Sequence, residues 1–295
     1  MTTITNGGNS RRSVQQQFLG MPTADGDGVK LTRIIGSPQL NFLDPFLLLD
    51  CFESEDANDY IGGFPSHPHR GFETVTYLLN GRMRHKDNAG HEGIIESGGV
   101  QWMTAAKGII HSEMPEQEEG LLKGFQLWVN LPASEKMTAP KYQEFPPHST
   151  PLECRDNGIQ IRVISGRTNQ GTVGPVVNRH TFPTYLDVSL PANTEFEQSL
   201  PTAHNAFIYV IEGDIQVIAD ASDSLDTSSN QLVAKKLGVL TKGNELVISS
   251  GQKGARFLLI AGQPLHEPIA RGGPFVMNTK AEVLQAFADF NQGNF

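Results

Sequence analysis

The residues best suited to chemistry are concentrated between positions 62 and 115, a stretch holding five of the chain's nine histidines: His67, His69, His85, His91 and His111. Two pairs stand out within it, His67-x-His69 and His111-x-Glu113. On a β-strand, residues two apart share a face. The apolar, β-rich runs at 74–79 and 101–104 predict strands beside both pairs. Two neighbouring strands, each offering two side chains to one interior, would build a pocket of three imidazoles and one carboxylate. Nitrogen and oxygen donors without thiolate suit iron, and also nickel, copper, manganese or zinc. An H-x-H pair alone is a common feature of turns and surfaces. The second pair decides for a metal site, because it follows after enough chain for a hairpin and a returning strand. Glu73 lies four residues after His69, so its parity predicts that it also points inward. Spacing therefore leaves both Glu73 and Glu113 open as the carboxylate.

The elements that must position these residues read as a strand-rich scaffold. The chain has 295 residues, 38% hydrophobic and 19% charged, with thirty glycines and eighteen prolines, a composition of many reversals. No run approaches the ~18 apolar residues of a membrane span. The net charge of -9 disfavours direct nucleic-acid binding. Two cysteines, Cys51 and Cys154, point to a reducing compartment, the cytoplasm, and not to a disulfide framework. Ser10-Arg11-Arg12 is a superficial twin-arginine match with no apolar region after it, and reads as a solvated polar tail.

In chain order, residues 1–28 read as loosely structured and Val29–Ile35 as the first strand. Residues 38–52 form an apolar segment broken by Pro45. Asp87-Asn88-Ala89-Gly90 predicts a turn, which puts His85 and His91 near a hairpin end as structural residues. Residues 124–131 alternate as a half-buried strand, with Trp128 on the opposite parity. Pro132, Pro140, Pro146, Pro147 and Pro151 mark a linker. The second half repeats the layout, with a hairpin expected around Glu212-Gly213-Asp214. There His204 stands alone and no H-x-E follows, so this half reads as a copy without metal. Residues 221–230 form a polar loop. Thr279-Lys280-Ala281-Glu282 is a capping box, followed by Val283, Leu284, Phe287 and Phe290 on one face of a short helix that Gly293 can end.

The runs HPHRGFETVTYLLNG (67–81), GHEG (90–93), QWMTAAKGIIHSEMP (101–115), FQLWVNLP (125–132) and GPFVMNT (273–279) resemble the pirin family of the cupin superfamily. The resemblance implies an all-β bicupin: two stacked antiparallel jelly-roll barrels and a short C-terminal helix. The expected boundaries are 1–132 for a metal-bearing barrel, 133–150 for a linker, 151–278 for a barrel without metal and 279–295 for the helix and tail. It implies one divalent metal per chain, Fe(2+), held by His67, His69, His111 and Glu113, which favours Glu113 over the Glu73 position that cupins in general use. Ala106 stands where cupins commonly carry proline.

Some pirins resemble quercetinases, dioxygenases that open a flavonol ring and release carbon monoxide. That implies a flavonol or other enolic substrate, dioxygen, and Glu113 as a general base once off the metal. Phe64, Met103 and Trp102 are then either pocket walls or barrel core. Other pirins resemble redox-responsive regulators that bind a transcription factor or metabolic enzyme. A monomer is implied in either case.

Overall fold

The computed structural model describes residues 10–220 and 230–295. The expected polar loop at 221–230 lies outside these apart from Asn230, whose Oδ1 accepts the Val14 N–H at 2.8 Å. Successive strands pair antiparallel throughout the main sheets, as an all-β bicupin requires. The described residues contain no helix long and apolar enough to cross a membrane.

The chain forms two units that cut across the expected boundaries. The first, here the histidine unit, comprises Gly20–Thr150, Asn178–Thr181 and Leu265–Phe295. The second comprises the described residues through Leu19, together with Pro151–Val177 and Phe182–Pro264. Strand pairing causes the exchange, since a ladder joins residues far apart in sequence. Val14–Leu19, expected to be loose, is a strand paired with Lys236–Leu240. Met21–Asp25, also in that stretch, pairs with Val29–Ile35. The expected linker holds the strand Lys141–Phe145, an edge partner of Val100–Thr104 in the histidine unit. Prolines on both sides of an edge strand give the same sequence signal as a linker.

In the second unit an apolar cluster including Ile161, Val163, Leu186, Phe196, Ile208, Phe257 and Leu259 fills the interior. Asn205–Val217 is one strand with no hairpin at Glu212-Gly213-Asp214. Its register with Glu245–Gly262 slips on both sides of Gly213, whose φ is +74°. The turn-like tripeptide is a bulge, and a Cβ on Gly213 would come 2.1 Å from the Gly254 carbonyl oxygen.

Arg12 is buried, not solvated. Its guanidinium donates to the carbonyls of Gly243 at 2.8 Å, Thr241 at 3.1 Å, Pro201 at 2.8 Å and His204 at 3.0 Å. Burial lowers its pKa to about 10, so it remains a cation at neutral pH. Four carbonyl dipoles stand in for the lost water.

The helix Lys280–Asn291 begins at Thr279 with both halves of the capping box formed. Val283 and Ala286 are its buried residues. Leu284 and Phe287, both expected on the apolar face, are exposed, although the rings of Phe287 and Phe290 come 4.8 Å and 6.4 Å from Phe275.

Candidate metal centre

The two sequence pairs lie on adjacent strands. Phe64–His69 pairs with Ile109–Pro115, setting His67 opposite His111 and Phe64 opposite Glu113, with a bulge between His111 and Glu113. Direct neighbours in a ladder share a face, so the imidazoles converge. The ligand-capable atoms of His67, His69 and His111 lie within 4.8 Å of one another. His67 Nε2 is 3.0 Å from His69 Nε2, and His67 Nδ1 is 2.8 Å from the Pro65 carbonyl oxygen. A carbonyl only accepts, so the His67 proton sits on Nδ1 and the Nε2 lone pair faces the other rings.

Both ring nitrogens of His111 are buried without a hydrogen-bond partner. Burial, reinforced by the neighbouring imidazoles, holds His69 and His111 well below the usual histidine pKa. Three clustered imidazoles, with His69 and His111 held neutral and both His111 nitrogens unpaired, are the donor set a divalent transition metal takes, so the residues fit such an ion.

The two candidate carboxylates separate. Glu113 lines the same cavity as His67 and His69. Its Oε1 accepts from Thr76 Oγ1 at 2.7 Å and its Oε2 from Gln126 Nε2 at 3.4 Å. It stands outside the three-histidine group. Glu73, predicted by parity to point inward, does not line the cavity. Phe64–His69 ends before Arg70 and a new strand, Phe72–Asn80, begins after Gly71, whose φ is +90°. That break resets the alternation, so Thr76 faces the cavity and Glu73 the opposite side. Glu73 instead accepts from Thr104 Oγ1 at 2.8 Å and Asn178 Nδ2 at 2.5 Å. Burial pushes its pKa up to about 7 against the effect of those hydrogen bonds.

His85 and His91 do not join the histidine group. His85 is buried opposite Glu113 on the next strand and bonds Glu144. His91 Nδ1 lies 2.8 Å from Asp87 Oδ2. His204 belongs to the second unit.

The cavity beside the histidines has a volume of about 690 Å³. Its apolar wall includes Leu31, Phe52, Phe64 and Met83. Met103 and Trp102, the other wall candidates, are fully buried and absent from that lining. Trp128 does line it, with its ring 5.3 Å from His69 and 4.3 Å from Phe72. Sequence reasoning missed Arg33, Asp50 and Arg271 in this lining. Only the off-parity position of Trp128 offered any signal for this wall.

The sequence matches the Pirin family pattern over residues 28–129 and the Pirin C-terminal cupin domain over 185–295. A pirin-like protein of Caulobacter vibrioides is 51% identical over 284 residues, covering 96% of this chain and 99% of the relative. Pirin of Mus musculus is 42% identical over 283 residues, covering 95% of this chain and 93% of its own. A crystal structure of quercetin 2,3-dioxygenase from Acinetobacter baumannii superposes with a TM-score of 0.85 at 34% identity, covering 97% of this chain and 99% of that one.

Proposed function

The chain belongs to the pirin family, and from that premise we propose that it is an iron-dependent dioxygenase opening the ring of a flavonol such as quercetin. The observation that carries the reading is the three-histidine group beside a cavity of about 690 Å³. A cavity of this size lies within the roughly 300–1,000 Å³ range of small-molecule sites. The similarity to a quercetin 2,3-dioxygenase supports it.

In this reading His67, His69 and His111 hold the iron, with Glu113 as fourth ligand. Bound iron would supply Lewis-acid and one-electron chemistry toward an enolate and dioxygen. The chain's own residues do the rest. Leu31, Phe52, Phe64 and Met83 take up the flat ring system and keep water from it. Glu113, when not a ligand, receives the proton of the flavonol hydroxyl. The Thr76 hydroxyl, 2.7 Å from its Oε1, orients that carboxylate.

The test is to load iron anaerobically, admit air and quercetin, and follow the flavonol absorbance together with carbon monoxide release. Iron-dependent bleaching with carbon monoxide in equal amount is the expected result. Full iron with no turnover would overturn the reading in favour of a metal-holding protein whose work is to bind a protein partner.

A further inference from the structure

The cavity is lined by two guanidinium groups in different electrostatic situations. Arg33 is neutralised: its Nε and Nη2 reach the two carboxylate oxygens of Asp50 at 3.0 and 2.7 Å, and Nη2 also meets Asp25 at 2.9 Å. Among the described residues, Arg271 has no carboxylate within ion-pair distance. Its contacts are the Trp128 ring, 4.7 Å below its central carbon, and one long hydrogen bond of 3.5 Å to the Leu47 carbonyl. Burial, ahead of the repulsion from Arg33, lowers its pKa from the usual arginine value, and the more distant charges of Asp50 and Asp25, which pair directly with Arg33, offset this only in part.

The placement of Arg271 is built into the fold. It sits on the strand Ala270–Gly272, which forms a hairpin with Phe275–Met277. The Val276 N–H donates to the Arg70 carbonyl at 3.0 Å, and the Arg70 N–H to the Pro274 carbonyl at 3.4 Å. Arg70 directly follows His69, so the hairpin is fastened to the end of the strand that carries His67 and His69. Trp128 lies between the two, stacked below Arg271 and edge-on to His69 at 5.3 Å. A flat guest with its enol at the histidines and its rings along Trp128 would bring its far end to Arg271.

We infer that Arg271 is a specificity-determining residue that selects substrates carrying an anionic oxygen, such as a carboxylate or an ionised phenol, at the end remote from the histidines. The assignment rests on the ring-opening reading for the orientation of the guest. Arg33 is not suited to this role, because Asp50 and Asp25 already neutralise it through Nε and Nη2. A planar fork of N–H groups over an aromatic ring suits bidentate capture of an oxyanion.

The test compares two probes on the metal-free chain, 3-hydroxyflavone and its derivative bearing a carboxylate on the benzo ring away from the enol. Quenching of tryptophan fluorescence reads binding, with Trp128 in the cavity wall as reporter. The carboxylate form should bind about 10- to 100-fold more tightly, the range of one charge-assisted contact. Arg271→Met should collapse that ratio toward one, and Arg271→Lys should keep part of it. An unchanged ratio in Arg271→Met, or no saturable binding of the carboxylate probe, overturns the assignment. Turnover of the iron-loaded chain is read separately. A preference that depends on Arg271 without ring opening would sink the dioxygenase reading alone, and ring opening without such a preference would sink the Arg271 assignment alone.

Discussion

The two units use the same antiparallel construction to opposite ends. In the second, Ile161, Val163, Leu186, Ile208 and Leu259 belong to one apolar cluster, and burying such side chains contributes about 1.5–3 kcal/mol each. In the histidine unit, Thr76, Glu113, Gln126 and the imidazoles of His67 and His69 face a cavity of about 690 Å³, with His111 grouped beside them. Histidine also occurs in the second unit, but His204 has no neighbouring imidazole there, and it spends its carbonyl on Arg12. A strand framework tolerates either interior. The difference is that a polar interior must find partners for its buried groups: Thr76 and Gln126 supply them for Glu113, whereas the His111 nitrogens are left unpaired as a metal would require.

The largest effect should separate the units outright. His111→Ala should lower metal affinity at least about 100-fold, while His204→Ala leaves metal content unchanged. Equilibrium dialysis followed by elemental analysis measures both. Full metal in His111→Ala would dissolve the contrast.

Next comes the stability of the filled unit. Arg12→Met strands four carbonyl acceptors, and the variant should lose about 4 kcal/mol in denaturant unfolding. Its metal content should stay at the wild-type level, and a loss of metal would show that the units are not separable.

A smaller effect concerns the carboxylate that lies away from the histidines. Glu73 has a folded pKa raised to about 7 from 4.5, so between these values the folded chain holds more protons than the unfolded one. Its contribution to stability is complete below the unfolded value and is lost as pH rises through the folded value, a decline of roughly 3 kcal/mol. Glu73→Gln should flatten stability over that window and keep its metal. Metal loss in this variant would reassign the carboxylate to Glu73 and blur the division between cavity wall and sheet back.

Much of the scaffold was legible because its signals are local. Val29–Ile35 and the capping box at Thr279 appear where alternation and end chemistry predict them. The H-x-H and H-x-E spacing likewise predicted that His67, His69 and His111 would meet. Readings failed where one local signal serves two structures. Glu212-Gly213-Asp214 reads as a turn but forms a bulge, and proline-flanked residues 141–145 read as linker but pair as an edge strand. Arg12 looked solvated because nothing nearby in sequence reveals the four carbonyls it meets.

By itself the sequence determined the all-β class, the family, and which histidines come together, since strand alternation and motif spacing act over a few residues. Spacing left the carboxylate open and only the resemblance favoured Glu113; the tertiary structure faces Glu113 to the cavity and turns Glu73 away, because the break at Arg70-Gly71 resets the alternation. The tertiary structure alone carried Val14–Leu19 into the second unit and Arg271 onto Trp128. Those outcomes depend on register and on pairing between distant segments, to which no local periodicity is sensitive.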